Sequence, residues 1–425
     1  MILYQGMVYP NTQQSTLMAQ LEEDCIATLE SPFKLTSSLV IDACDRLTQR
    51  VLEGDFDEVV QPMLKAHDLT QETFLNYVSR FTKDALLTKL TLELGSDHQA
   101  LSPLDASTSR RLEPLGILFH IAAGNLDILP AYSVIEGLLV GNINILKLPS
   151  GDQGVSVKLL SALMTIEPKL KPYIYVFDVP STDLESLRQF AALADGVVVW
   201  GGDEAIQAAR QMTLPNTKLI EWGHKISFAY ASMEAEDEDL EALAAHIIKT
   251  NQLLCSSAQG IYVDTASEDE LHRFARRFFD LFKRTQETAA EVPIGMRVKH
   301  ALELHYHTMR QFETNTLVLR APGVSVVASR DSTLEASLGF RHVWVKRLPK
   351  DAILKTLKPY KNHLQTACVC APKTTYEDIV DRLIRSGVVR IKAASEMSES
   401  LLGESHDGMF PLRLYTKVVE RYHKH

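Results

Sequence analysis

Long runs of Lys and Arg are missing from this 425-residue chain, whose formal charge at pH 7 is -10. A nucleic-acid partner would call for clustered cations against its phosphates, so that class is set aside. The basic residues near the C-terminus (Lys417, Arg421, His423, Lys424 and His425) are read as a solvated end. No uninterrupted run of about 20 apolar residues, the length of a membrane-crossing helix, is present. The longest apolar stretch, 115–148, is broken by Asn125, Asp127, Pro130, Glu136, Gly141 and Asn142. The opening MILYQGMVYPNTQQ has no basic start followed by an apolar core, so no signal peptide is read and a cytoplasmic location is expected.

Cysteine is scarce too. Cys25, Cys44, Cys255, Cys368 and Cys370 are odd in number and scattered, which does not make a secreted disulfide framework. Cys368 and Cys370 are a CxC pair without a second Cys or His pair at zinc-site spacing; alternate positions on a buried strand fit them better. The dinucleotide fingerprint GxGxxG, internal repeats and low-complexity segments are likewise absent. What is present is an ordinary globular composition, 45% hydrophobic and 23% charged, in a chain long enough to bury its own core.

Three regions are expected. Residues 14 to about 92 read as helical; 37–53 sets Leu39, Val40, Ala43, Cys44, Leu47 and Val51 on one face. The polar stretch 95–110 reads as a connection. From Leu115 short apolar strands alternate with helices: 116–121, 143–148, 173–177, 196–200 and 218–221. That alternation predicts a parallel sheet wrapped by helices, with ligands at the carboxyl ends of its strands. A second α/β block starts near Glu236, with a helix at 240–250, strands at 261–263, 316–319, 324–327, 341–346 and 365–371, and helices at 268–288 and 376–386, the last closed by Gly387. The boundaries drawn are 1–100 for the helical region, 101–235 for a ligand-binding domain on which 395–425 packs back, and 236–394 for the second block.

Four segments carry residue types suited to chemistry. In NQLLCSSAQGIYV, Cys255 ends a helical pattern among small residues that allow close approach; it fits a nucleophile, or a buried apolar thiol. In PLGILFHIAAGNLDILPAYSVIEGLLVGNINILKLPSGD, Asn125 sits on the loop after one strand and Lys147 ends the next, pointing to the ligand crevice or to the surface. In VVVWGGDEAIQAARQ, Gly201 and Gly202 precede a helix whose N-terminus suits a phosphate. In KLIEWGHKISF, Glu221 ends a strand as a base or as a cap for the turn. His120 and His224, within two of these segments, are read as structural histidines.

Together, and in this order, the segments resemble the aldehyde dehydrogenase superfamily. The resemblance implies an α/β fold of two doubly wound domains with a helical N-terminal region. It assigns Asn125 to the oxyanion hole, Lys147 to the cofactor ribose, Gly201 and Gly202 to the turn under the pyrophosphate, Glu221 to the general base and Cys255 to the nucleophile. The loop is Gly124-Asn125-Leu126-Asp127, where the superfamily has aromatic-Asn-Phe-Pro. HLQTACVCAP and HDGMFPL are similar to the acyl-CoA reductase branch, which includes the fatty-acid reductase of bacterial bioluminescence. That branch implies NADPH-dependent reduction of a long-chain fatty acyl-CoA or acyl-protein thioester to the aldehyde, through an acyl-cysteine. It also implies a homo-oligomer and an acyl-transfer partner enzyme. An acid three positions after the ribose lysine favours NAD in the superfamily; here that position is Ser150, which implies NADPH, with Asp152 nearby as a counter-influence. Three other readings stay open: aldehyde oxidation with NAD(P)+, acyl transfer through Cys255 without a nicotinamide, and a non-catalytic subunit. His406-Asp407-Gly408 is read as a loop packing against the cofactor domain.

Overall fold

The computed structural model describes residues 1–66, 71–96, 98, 100–122, 128–152, 154–286, 291–399 and 401–423. The chain divides into two compact units, Met1–Gly223 with Leu401–His425, and His224–Ser400. The division falls at Gly223, not at 235, because Ile226–Ala231 is a buried strand of the second sheet. The N-terminal helices belong to the first unit; they pack into the same core as its sheet.

The first unit is built on a seven-stranded sheet. Its spatial order is Met7–Tyr9, Ile2–Tyr4, Ile174–Phe177, Ile143–Lys147, Ile117–Ile121, Gly196–Trp200 and Lys218–Trp222. The last five run parallel. In chain order they are arranged 3-2-1-4-5, so the sheet winds outward both ways from Ile117–Ile121. In such sheets the ligand crevice opens where the winding reverses, here beyond the carboxyl ends of Ile117–Ile121 and Gly196–Trp200. The apolar runs explain the topology: Ile143–Lys147 and Gly196–Trp200 are buried at every position, as strands covered on both faces must be. Phe119, Phe177 and Phe190 pack at centroid distances of 4.8–5.3 Å under the sheet.

The N-terminal region forms helices over Gln14–Glu30, Ser37–Leu52, Asp57–Ala66, Gln71–Val78 and Lys83–Leu94. Ser37–Leu52 starts where the Thr36 hydroxyl accepts the Leu39 amide, an N-cap. It buries Val40, Ala43, Cys44, Leu47 and Val51 as predicted, with Ile41 in place of Leu39. Two expectations fail. The tail is a strand, Thr416–Tyr422, paired antiparallel with Thr108–Pro114, and the stretch read as a connection supplies that partner and Ser102–Pro103. Thr416–Tyr422 is exposed after its first residue and Thr108–Pro114 is polar and mostly half-buried, so neither carries the apolar signal of a core strand. The sequence reading also missed Ile2–Tyr4, too short to show a period, which pairs with Val176 and Tyr175.

The second unit has its own seven-stranded sheet, ordered Leu317–Ala321, Val324–Ser329, His342–Arg347, Ala258–Val263, Ile226–Ala231, Leu364–Cys370 and Arg390–Lys392. All are parallel except the first pair. Helix Glu268–Thr285 covers it through Phe274, Phe278 and Phe282. Helix Lys373–Ser386 ends at Gly387, whose φ of 116° belongs to the left-handed region that favours glycine. Cys368 and Cys370 lie on one face of the buried strand Leu364–Cys370, their sulfurs 4.0 Å apart.

Candidate functional site

The nucleophile candidate lies in a loop between helix Asp237–Thr250 and strand Ala258–Val263. The helix stops because Asn251 turns left-handed at φ 47°, and Gln252 follows at φ 60°. Two consecutive non-glycine residues in that region are strained and persist only when their surroundings hold them. Here the hold is visible. Gln252 Nε2 donates to the Ala258 and Gln259 carbonyls at 3.2 and 3.0 Å, and Gln259 Nε2 donates back to the Gln252 carbonyl at 3.1 Å. Arg341 Nε donates to Asn251 Oδ1 at 3.1 Å. The Leu254 amide donates to Ser257 Oγ, and the Ser257 amide to the Leu254 carbonyl, so 254–257 is a tight turn with Cys255 at its tip.

Cys255 is exposed, whereas Cys25, Cys44, Cys368 and Cys370 are buried. Burial pushes the Cys25 thiol up to about 12 and the Cys44 thiol further still. The Cys368 thiol is also raised, first by its contact with Cys370 and then by burial. Of the five, Cys255 alone is placed to meet a ligand from solvent. Its carbonyl accepts Ser227 Oγ at 2.6 Å, and its sulfur accepts Gln365 Nε2 at 3.4 Å. The sequence reading quoted Gln365 within HLQTACVCAP but gave it no role. A polar residue opening an apolar strand was the available signal.

In the first unit the remaining candidates stand at strand ends. Lys147 ends Ile143–Lys147, only 3% exposed, and its ammonium donates to Ser181 Oγ at 3.0 Å. Burial lowers its pKa, opposed by the charge of Asp178. Ser150 is exposed in the turn that follows. Asp152 is tethered there, since its Oδ1 accepts the Gly154 amide at 2.7 Å. Gly201 donates its amide to the Trp222 carbonyl at 3.1 Å, and a Cβ on it would stand 2.8 Å from Ala205 Cβ, so the turn needs glycine. A Cβ on Gly202 would meet nothing within 4 Å, so space is open at the N-terminus of helix Asp203–Met212.

Glu221 is not solitary. Arg210, on helix Asp203–Met212, donates Nε to Oε1 at 2.5 Å and Nη2 to Oε2 at 2.7 Å. Both carboxylate oxygens are therefore engaged. Asn125 lies outside the described residues. His120 is fully buried, with Nδ1 2.8 Å from Ser133 Oγ and Nε2 3.0 Å from Asn144 Oδ1, a satisfied structural histidine. His224 is exposed, and its carbonyl accepts His363 Nδ1 at 3.2 Å.

His406-Asp407-Gly408 packs within the first unit. Trp200 and Trp222, at the ends of adjacent strands, stack at 5.3 Å, and the His406 ring meets them edge-on at 5.1 and 4.8 Å. Left-handed φ angles of 49° at Asp407 and 79° at Gly408 turn the chain so that the His406 and Met409 backbones pair. The loop thus caps the strand ends beside Gly201. The signal, two tryptophans each ending a strand, was in the sequence.

Two doubly wound α/β units, one ending its strands in Lys147 and Gly201-Gly202 and the other presenting an exposed cysteine in a braced loop, define an aldehyde dehydrogenase-like oxidoreductase fold. Solved structures agree: a putative aldehyde dehydrogenase from Anabaena variabilis superposes with TM-score 0.68 at 15% identity, covering 98% of this chain and 94% of that one. Glyceraldehyde-3-phosphate dehydrogenase from Methanocaldococcus jannaschii, complexed with NADP, superposes with TM-score 0.71 at 12% identity, covering 98% and 95%. Within that superfamily, residues 34–417 match the model of the acyl-CoA reductase (LuxC) family, and the chain belongs to that family of acyl reductases. It is 26% identical over 360 residues to the long-chain acyl-protein thioester reductase of Aliivibrio fischeri, covering 80% of this chain and 71% of that one. Among the described residues no helix is long and apolar enough to cross a membrane.

Proposed function

We propose that the chain reduces a long-chain fatty acyl thioester to the aldehyde with NADPH, through an acyl group carried on Cys255. The observation that carries this reading is the contrast among the cysteines: one exposed at the tip of a braced turn with an amide donor on its sulfur, four buried. The name of the Aliivibrio fischeri relative supports the substrate class, a long-chain acyl thioester on a protein; a CoA thioester presents the same reactive carbonyl.

In this reading the Cys255 thiolate attacks the thioester carbonyl carbon, and the carrier thiol leaves with the bonding pair and a proton. Splitting the reduction at a covalent acyl-enzyme replaces one difficult step by two easier ones. The Asn125 side-chain amide is assigned to the oxyanion; loss of such a donor typically costs about 2.7–4 kcal/mol in the barrier. Glu221 is assigned to proton transfer, for which its carboxylate has to leave Arg210. The residues of the first unit fit a dinucleotide: open space over Gly202 at a helix N-terminus suits a pyrophosphate, and the Lys147 ammonium suits a ribose hydroxyl or its phosphate. When bound, the reduced nicotinamide supplies the hydride. A homo-oligomer in the cytoplasm, receiving its acyl group from CoA or from an acyl-transfer enzyme, completes the reading.

The test is intact mass after incubation with acyl-CoA of several chain lengths and no cofactor. The expected result is one acyl adduct on wild type, absent from Cys255→Ser and discharged as aldehyde when NADPH is added. No adduct with any chain, or an adduct that survives in Cys255→Ser, would overturn the reading.

A further inference from the structure

Gln365 stands near the start of strand Leu364–Cys370, between Ile226–Ala231 and the edge strand Arg390–Lys392 of the second sheet, and is 2% exposed. A primary amide is seldom buried that deeply without a polar task, because its desolvation must be offset by hydrogen bonds. Here its Nε2 lies 3.4 Å from Cys255 Sγ. The backbones that carry this amide and this sulfur are also tied together. Ser227 Oγ accepts the amide of Thr366, the next residue, at 3.1 Å and donates to the Cys255 carbonyl at 2.6 Å. One hydroxyl therefore fixes the backbone of the strand and the backbone of the nucleophile together. On the other side, the Gln365 carbonyl accepts the Val389 amide at 3.1 Å. Donor and sulfur are thus carried on backbones that are anchored to one another.

From this geometry we infer that the Gln365 side-chain amide is a positioning donor for Cys255, holding its sulfur as the thiolate and easing its departure at the end of the reaction. The inference rests on the assignment of Cys255 as the acyl carrier and adds a residue to it. A neutral N–H pointing at sulfur favours the charged thiolate over the thiol. It introduces no cation beside the sulfur and no carboxylate that would repel a thiolate.

The same bond acts twice in the sequence of steps. Before attack it raises the fraction of thiolate. After attack the sulfur is a thioester, a poor acceptor, and the bond weakens. Once hydride has reached the acyl carbon, the alkoxide of the thiohemiacetal re-forms the C=O bond, the C–S bond breaks, and its electron pair returns to Cys255 Sγ. Charge then reappears on the atom that Gln365 Nε2 faces, so the amide stabilises the leaving group and the aldehyde departs.

The test reads the sulfur directly. Cys255 is the exposed thiol and the other four are buried, so the pH dependence of alkylation by iodoacetamide, located by peptide mass, reports Cys255. Wild type should show a midpoint below the ordinary cysteine value of about 8.5. Gln365→Met keeps the length and removes the donor; its midpoint should rise by about one pH unit, equal to about tenfold less thiolate below the midpoint. Gln365→Glu replaces the donor by a carboxylate and should raise the midpoint further. Single-turnover aldehyde release from the acyl-enzyme should slow in both variants, and melting temperatures would show that each is folded. A wild-type midpoint at or above 8.5, or a folded Gln365→Met whose profile coincides with wild type, would overturn the inference; the wild-type arm stands even where a variant does not fold. The shift without acylation of Cys255 would retain the Gln365 contact and remove the acyl-carrier reading; acylation without the shift would do the reverse.

Discussion

Arg210 grips Glu221 by both carboxylate oxygens, at 2.5 and 2.7 Å, and the Arg210 side chain is 64% exposed. An exposed pair of this kind contributes about 1 kcal/mol or less to stability. It nevertheless occupies the one carboxylate that the superfamily resemblance assigns as base. Arg210→Gln should therefore change the melting temperature by no more than a few degrees while freeing Glu221. If Glu221 carries the proton, acylation of Cys255 should speed up severalfold in that variant. Glu221→Gln should slow acylation, most at low pH where cysteine is least ionised. Rapid-quench acylation across pH 6–9 decides this. Unchanged profiles in both variants would leave Glu221 with only its ion pair.

A second prediction concerns the cofactor. Ser150 is exposed and neutral, so nothing there repels a 2′-phosphate, and Lys147 can meet that phosphate as a point charge. The nearby acid that would counter this, Asp152, has Oδ1 committed to the Gly154 amide at 2.7 Å and serves the turn before helix Val155–Ile166. Fluorescence titration should find tighter binding of NADPH than of NADH by wild type and loss of that advantage in Ser150→Glu. Equal affinities in wild type, or a variant that keeps its preference, would move the discrimination to other residues.

The strands around the candidate site were legible in the sequence because strands buried on both faces are short apolar runs, and the β-branched run Val197, Val198 and Val199 between glycines favours a strand. Strands without a buried apolar run left no such trace, so the exposed Thr416–Tyr422 passed for a solvated tail and the polar, half-buried Thr108–Pro114 for part of a connection. The placements of Lys147 and Cys255 were legible, one at the end of an apolar strand and one in a loop after a helix. What was not legible was company. Arg210 is 11 residues from Glu221 and Gln365 is 110 from Cys255, and no periodicity links residues that only the sheet order brings together. His406 is a milder case: its contacts with Trp200 and Trp222 depend on the C-terminal segment returning to the first unit.

The last prediction follows from His120. Its ring is fully buried in a chain of neutral bonds whose polarity can be worked out from one end. Asn144 Nδ2 donates to the Asn142 carbonyl, so Asn144 Oδ1 is the acceptor and His120 carries its proton on Nε2. The bare Nδ1 then accepts from Ser133, whose oxygen accepts the Trp200 indole N–H at 3.1 Å. Burial depresses the His120 pKa to about 4, with the Asn144 bond opposing it. In the unfolded chain the same imidazole titrates near 6.5. Between those values the unfolded state binds the extra proton, so stability rises with pH; it is fully present above 6.5 and is lost as pH falls toward 4. For one histidine the loss at pH 5 is roughly 2 kcal/mol. His246 and His342, depressed to about 4 and about 3, chiefly by burial, act with the same sign. Urea unfolding at pH 7.5, 6, 5 and 4.5 should show a falling free energy, with a slope that is shallower by about one proton in His120→Gln. A wild-type stability that stays flat from pH 7 to 5 would mean that His120 titrates in place, and that its contacts with Ser133 and Asn144 do not hold it neutral.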